Sequence, residues 1–222
     1  MNRLRIGLPP LPRHMQCLDV SDKGYPIPWF VQRNADGSYD FRIMDGSKLL
    51  MAYHYNRCWV CGGTLGAYKT FVVGPMCVVN RASAEPPSHY ECAKFSAIAC
   101  PFLTLPKSVR REANLPENTV DLPGVMIPRN PGVTCLWTVK TYGVMRTPQG
   151  PLFKLPDAET VEWYAEKQHA TREQIMASMD SGMEILRDMA KKDGPKEEKN
   201  VEDAYIKALT YVPPSAAVVS AP

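Results

Sequence analysis

The chain has 222 residues, of which 45% are hydrophobic and 22% are charged, and its formal net charge at pH 7 is +3. This composition is typical of a soluble globular protein, and the length suits one large domain or two small ones. No run of eighteen apolar residues occurs and the first residues lack a signal-peptide core, so we expect no membrane partner. Seven cysteines, an odd number, argue against a secreted disulfide framework and favour a cytoplasmic location.

The charge is distributed unevenly along the chain. Residues 1–156 contain 18 Lys and Arg against 10 Asp and Glu, and residues 157–222 contain 8 against 13. The first part therefore carries +8 and the second −5. A basic body favours contact with nucleic acid, although solvated surface charge explains the same excess equally well.

The N-terminal quarter predicts extended chain followed by a β-hairpin. Residues 1–28 are rich in proline, which biases each preceding residue away from helix. Residues 29–31 begin a strand, residues 34–37 (NADG) form a turn, and residues 39–44 (YDFRIM) return as the second strand. Residues 47–55 fit either a short helix or a strand.

Cysteines with metal-ligand spacing begin at Cys58. Cys58 and Cys61 form a Cys-x-x-Cys pair, whose sulfurs meet at one point if the chain makes a tight knuckle. Gly62 follows at once and permits the positive φ that such a turn requires. Two alternatives to metal binding exist for this pair. The cysteines could be buried core thiols, which are common. They could also be a redox Cys-x-x-Cys pair, but such a pair usually lies in a βαβ unit, which is not predicted here.

A second pair of candidate ligands opens a predicted helix. Residues 70–73 (TFVV) and 77–80 (CVVN) flank Gly74-Pro75, which favours a hairpin. Ser88 then predicts an N-cap, with Glu91 completing a capping box. In that helix His89 and Cys92 share the first turn and face the same side.

These four residues predict one tetrahedral Zn²⁺ site: Cys58, Cys61, His89 and Cys92. Cys100 competes with His89 for the fourth position but lies eight residues after Cys92, near the far end of the helix. His14 and Cys17 repeat the His-x-x-Cys spacing without a second pair nearby, so we attribute the repeat to chance. His54, four residues before the first cysteine, is a weaker candidate.

The order of knuckle, hairpin and helical ligands over 58–100 resembles a treble-clef zinc finger. Metal-dependent (HNH-like) nucleases share that arrangement, and they require a histidine base on the hairpin. Residues 62–88 contain no His and no Asp, and Glu85 is the only acid there, so the pattern argues against this activity. His54 is the one residue that would restore it.

The C-terminal half predicts a second small sheet and then helices. Residues 133–144 and 151–155 are strand-like, and residues 116–131 are loop-like. Asp157 is a candidate cap for a helix to residue 168.

Thr171 and Gln174 predict a capping box for a helix to about residue 192, which ends at Gly194-Pro195. Its methionine stripe favours core over a partner surface. Residues 191–200 read as a charged linker and 201–211 as a short helix, followed by a flexible tail.

Together these elements predict an α+β protein with small antiparallel sheets around a treble-clef-like zinc site and a C-terminal helical hairpin. We divide the chain into a proline-rich β-containing body (1–156), a helical region packed on it (157–192) and a linker, short helix and tail (193–222). Segments that include CWVCGG at 58–63, PPSHYECA at 86–93 and WYAEKQHATREQ at 163–174 resemble uncharacterised small proteins of bacteriophages and prophages. That resemblance implies a host cytoplasmic location and no established activity.

Three functions follow from these patterns. The first is a non-enzymatic zinc protein that binds nucleic acid through its basic body, and the second is an interaction or inhibitor module for a host or viral protein. The third and weakest is a degenerate nuclease, and no catalytic residue is assigned. The residues expected to contact phosphate are Arg57, Arg81, Lys94, Lys107, Arg110 and Arg111.

Overall fold

The computed structural model describes residues 3–105 and 131–214, which form an α+β fold as predicted. The strands are Val31–Arg33 (β1), Tyr39–Met44 (β2), Lys69–Val73 (β3), Ala82–Ser83 (β4), Val133–Val139 (β5), Gly143–Thr147 (β6), Gly150–Lys154 (β7), Thr160–Ala165 (β8) and Gln168–His169 (β9). The helices are Gly46–His54 (α1), Pro75–Asn80 (α2), Tyr90–Ala99 (α3), Pro101–Thr104 (α4), Arg172–Asp193 (α5) and Pro195–Leu209 (α6), and a 3₁₀ turn covers Arg13–Met15.

The N-terminal hairpin is confirmed as an antiparallel pair of β1 and β2. Its turn runs through Gly37, which has a φ of 82°. Residues 47–55, which fit either a helix or a strand by sequence, belong mostly to helix α1. Asp45 caps this helix by accepting a hydrogen bond from the Ser47 N–H.

The central sheet has four antiparallel strands in the order β3-β5-β8-β9. Every residue of β5 is buried, since the strand lies between two layers. Trp137, opposite Phe71 on β3, belongs to the main apolar cluster with α2 and α5. Leu136 points to the other face, where it packs with Ala93 and Ala97 of α3. The sheet thus fixes the position of α3, the helix that begins with the second predicted ligand pair.

A second antiparallel sheet has the order β4-β7-β6, and it confirms the predicted return strand at 151–155 in outline. Phe153 of β7 is fully buried in the main cluster. The small sheet and the central sheet therefore share one core.

Two secondary-structure predictions for the residues before α5 are wrong. Gly74-Pro75 is not a hairpin turn: Gly74 is the N-cap and Pro75 the first residue of α2, a position that suits proline because its missing N–H needs no partner there. The helix predicted from Asp157 to residue 168 is instead strand β8 with the turn to β9. Trp163 and Tyr164 are both buried but in different clusters, which is the alternation of a strand covered on both faces.

The C-terminal helices pack against each other and against α2. The capping box of α5 is present, with Thr171 accepting from the Gln174 N–H and Gln174 accepting from the Thr171 N–H. Ile175, Met179 and Met183 are fully buried, so the methionine stripe is core. The predicted linker at 191–200 is wrong, because these residues are helical apart from Gly194, which separates α5 from α6. In the described parts of the chain, none of the helices has the length and apolarity to span a bilayer.

Candidate metal centre

The first two cysteines lie on a tight knuckle after α1. The Cys58 N–H donates to the Gly63 carbonyl at 2.7 Å, and the Gly62 N–H donates back to the Cys58 carbonyl at 2.8 Å. Gly62 has a φ of 75°, as predicted for the residue after the second cysteine. The Arg57 guanidinium also donates to the Gly62 carbonyl at 3.0 Å. These bonds hold both thiols on the inside of the turn.

The other two candidate ligands stand at the start of α3, although not with the predicted cap. His89 is the N-cap itself, and no side-chain capping bond forms, so the capping box of Ser88 and Glu91 is wrong. The Ser88 backbone instead exchanges hydrogen bonds with Thr70 of β3 at 2.8 and 2.9 Å. This pairing anchors the residue before His89 to the central sheet.

The four side chains form one compact group. Their candidate ligand atoms all lie within 4.8 Å of one another, and the His89 Nδ1 atom is 3.3 Å from Cys61 Sγ and 3.9 Å from Cys92 Sγ. A tetrahedral zinc ion with Zn–S bonds of about 2.3 Å separates neighbouring sulfurs by about 3.8 Å. The group therefore has the size of a four-coordinate metal site.

The imidazole of His89 is oriented for ligation. Its Nε2 atom lies 3.0 Å from the Thr64 carbonyl oxygen, and a carbonyl can only accept, so Nε2 carries the proton. In the neutral ring Nδ1 then holds a free lone pair, which faces the thiols. A backbone carbonyl that fixes the tautomer in this way is a usual companion of metal-binding histidines.

The three thiols influence each other's ionisation. Hydrogen bonds from Cys61 and Cys92 hold the pKa of Cys58 far below its ordinary value. The hydrogen bond to Cys58 raises the pKa of Cys61 to about 11, and it raises the pKa of Cys92 as well. Three thiolates at this separation repel one another, and a cation between them offsets that repulsion. The group can therefore hold a metal ion that would deprotonate all three.

The site is closed by an apolar cluster of its own. Cys58 and Cys92 are fully buried, and Met15 from the N-terminal segment packs on the same cluster. His14 stacks on His89, with ring centroids 4.1 Å apart and planes at 11°. The spacing of His14 and Cys17 indicates only a chance repeat, and the path of the N-terminal segment reveals the contact of His14 with a candidate ligand.

The competing ligands lie outside the group. Cys100 caps the C-terminus of α3, and burial raises the pKa of its thiol. His54 is exposed at the end of α1 and packs against Tyr53. Neither belongs to the group of four, within the residues described. All seven cysteines are free thiols, Cys17 being exposed.

The predicted phosphate-binding residues that the structure describes make contacts within the protein. Arg57 supports the knuckle, and Arg81 donates to the Leu155 carbonyl at 3.0 Å and to Asp157 at 2.6 Å. The Lys94 ammonium lies 3.4 Å from the Tyr90 hydroxyl. Three further predicted residues lie outside the described ranges, namely Lys107, Arg110 and Arg111.

The fold and the site together define an α+β protein with a candidate Cys₃His metal centre. Comparison with known proteins finds no matching family model, no matching curated protein and no matching solved structure. The resemblance to phage proteins therefore stays a prediction.

Proposed function

We propose that this is a non-enzymatic zinc protein, in which one Zn²⁺ bound by Cys58, Cys61, His89 and Cys92 stabilises the fold. The observation that carries the proposal is the convergence of three thiols and one imidazole nitrogen within 4.8 Å. Thiolate and imidazole donors in tetrahedral sets select zinc over the hard cations magnesium and calcium, which require oxygen ligands.

The same donors argue for a structural rather than a catalytic metal. A catalytic zinc keeps one position for water or substrate, whereas four protein ligands leave none. The three cysteines are at most 7% exposed, so water has little access to the centre. No carboxylate belongs to the group among the described residues, and a hydrolytic reaction requires a base within hydrogen-bond reach.

The proposal extends to nucleic-acid binding, for which the support is charge. The +8 balance of residues 1–156 gives the body a positive field that attracts phosphates. The protein-interaction alternative loses one of its two candidate surfaces, since the methionines Met179 and Met183 are fully buried. The acidic C-terminal arm remains its other candidate.

The zinc proposal is tested by the metal content of the purified protein. We expect about one zinc per chain in the wild type, loss of zinc in Cys92→Ser, and full retention in Cys17→Ser, whose thiol is exposed and outside the group. Because Cys92→Ser also risks unfolding, wild-type protein is reconstituted with Co²⁺, which should show the visible and thiolate charge-transfer absorption of a tetrahedral site. A folded wild type without zinc, or without this cobalt spectrum, would refute the proposal.

A further inference from the structure

An open pocket of about 400 Å³ lies between the end of α1, the start of β3 and the β5–β6 connection. Its volume is within the range of small-ligand sites. Of the predicted phosphate-binding residues that the structure describes, namely Arg57, Arg81 and Lys94, none lines it. The lining residues that matter here are Tyr53, Asn56, Lys69, Lys140, Thr141 and Tyr142.

Two tyrosines of the lining are held in place by core phenylalanines. Tyr142 packs edge-on against Phe71 at 5.3 Å between ring centroids and against Phe153 at 5.8 Å. Tyr53 packs edge-on against the same Phe153 at 6.3 Å. Within residues 3–105 and 131–214, neither tyrosine hydroxyl has a hydrogen-bond partner. The pocket therefore offers two preorganised hydroxyls that can donate to a ligand.

A third tyrosine presents its ring at the margin. Tyr68 directly precedes the lining residue Lys69, and 54% of its surface is exposed. The Lys140 ammonium lies 5.6 Å from the centroid of the Tyr68 ring. An exposed aromatic ring beside a lysine is the combination with which proteins stack an unpaired base and neutralise its phosphate.

The pocket also carries fixed positive charge. The Lys69 ammonium donates to three carbonyls, those of Gly66, Ala67 and Lys140, at 3.1 to 3.2 Å. These bonds hold its charge in position without cancelling it. Lys140 pairs with Glu159 at 3.3 Å, but both side chains are about half exposed, at 54% and 43%. An exposed pair of this kind is weak, so a phosphate can take the place of the glutamate.

We propose that this pocket, lined by Tyr53, Lys69, Lys140 and Tyr142 and bordered by Tyr68, binds a nucleotide unit of a single-stranded nucleic acid. The base stacks on Tyr68, and its phosphate faces Lys140 and the tyrosine hydroxyls. A duplex does not fit this chemistry, because its bases are already stacked on each other. The inference rests on the proposed nucleic-acid binding and assigns it to residues other than those that the sequence predicts.

The test is fluorescence anisotropy of zinc-loaded full-length protein with labelled single-stranded dT₂₀ and U₂₀, and with a duplex of equal length. Tyr68→Ala should weaken binding of a single strand about tenfold. Lys140→Ala should weaken it severalfold and reduce the salt slope by about one. Glu159→Gln should strengthen binding of the single strand, because it frees Lys140 and removes a negative charge. A purely structural role of Lys140 and Glu159 does not predict this gain in affinity.

Controls separate the inference from the proposed function. Arg33→Ala removes another exposed cation that lies over a tyrosine ring, Tyr39 in the N-terminal hairpin, and should leave affinity unchanged. A combined alanine variant of Lys107, Arg110 and Arg111 tests whether nucleic acid binds instead at these residues, as the sequence predicts. If that variant loses binding while Tyr68→Ala and Lys140→Ala retain it, the pocket is the wrong site but nucleic-acid binding stands.

The remaining outcomes are equally decisive. Equal affinity for duplex and single strand would refute the stacking interaction. Binding of uridine monophosphate with the same affinity as U₂₀ would identify the ligand as a free nucleotide instead of a strand. No binding of any oligonucleotide by the zinc-loaded wild type would overturn both the pocket and nucleic-acid binding, leaving the zinc proposal to its own test.

Discussion

Gly62 shows how one residue sets the geometry of the candidate metal centre. Its φ of 75° is costly for any residue with a Cβ, and a Cβ there would lie 2.7 Å from the indole of Trp29. Gly62→Ala should therefore lower the free energy of unfolding by at least about 2 kcal/mol. Urea denaturation of the zinc-loaded protein measures the change.

Gly66, in the loop that follows the knuckle, provides the matched control. A Cβ at Gly66 meets nothing within 4 Å, so Gly66→Ala should change stability by less than about 0.5 kcal/mol. Equal effects of the two substitutions would show that the knuckle does not depend on the backbone conformation of Gly62.

Arg81 was predicted to contact phosphate, and its surroundings suggest a structural role instead. Its guanidinium lies 4.6 Å from the Trp137 ring centroid and 5.3 Å from that of Tyr211, and its Nε–H donates to the Leu155 carbonyl. Arg81→Ala should cost about 2 to 3 kcal/mol of stability through the lost ring contacts and hydrogen bond. Thermal and urea unfolding measure this.

The comparison for Arg81 is Arg33, whose ion pair with Asp19 is mostly exposed on both sides. Arg33→Ala should cost less than about 1 kcal/mol. If Arg81→Ala left stability unchanged and weakened binding of nucleic acid, the original assignment to phosphate contact would be right.

The four candidate ligands were predictable because metal ligation requires short, fixed spacings along the chain, and these can be recognised without knowledge of the fold. Cys-x-x-Cys followed by Gly62 specifies a knuckle from adjacent residues alone. The contact of His14 with His89 joins segments 75 positions apart, so no local pattern reveals it. No local pattern predicts the pocket around Tyr142 either, because the pocket forms only where three separate elements come together.

At the level of elements, the errors occurred where tertiary packing overrides local preference. Residues 160–165 contain apolar side chains that fit one face of a helix, but they form β8 because Val133–Val139 requires a partner on its second edge. Asp157, the candidate helix cap, instead accepts hydrogen bonds from Arg81 and Tyr211. Helix α5 was predicted correctly because its capping box and its 3.6-residue apolar period agree.

The capping box of α5 gives a prediction at this scale. Thr171→Ala removes the hydroxyl that accepts from the Gln174 N–H at 3.3 Å, and it should cost about 1 kcal/mol of stability. Thr171→Ser keeps that hydroxyl and should be close to neutral. Urea denaturation followed by far-UV circular dichroism tests both, and an equal loss in the two variants would point to packing of the threonine methyl group.

At the scale of the whole molecule, two of the three apolar clusters in the described residues should differ in their dependence on metal. The larger cluster joins the sheets to α2 and α5, whereas the smaller one joins the cysteines to Met15 and Phe95. Leu8, Leu11 and Leu18 pack only on the smaller cluster. The N-terminal segment is therefore packed on the candidate metal centre, while the main core has its own apolar contacts.

If the proposed zinc ion is bound, this arrangement predicts that its removal opens one end of the protein before the rest. Chelation should abolish amide protection in residues 56–65 and increase exchange across residues 8–18, because their packing requires four ligands held together. Helix α5 should keep its protection, since Ile175, Met179 and Met183 pack on the larger cluster. Hydrogen exchange with mass spectrometry, with and without chelator, follows all three regions in one experiment. Simultaneous loss of protection in α5 would mean that the two clusters unfold as one cooperative unit, and unchanged exchange at residues 56–65 would mean that the knuckle folds without metal.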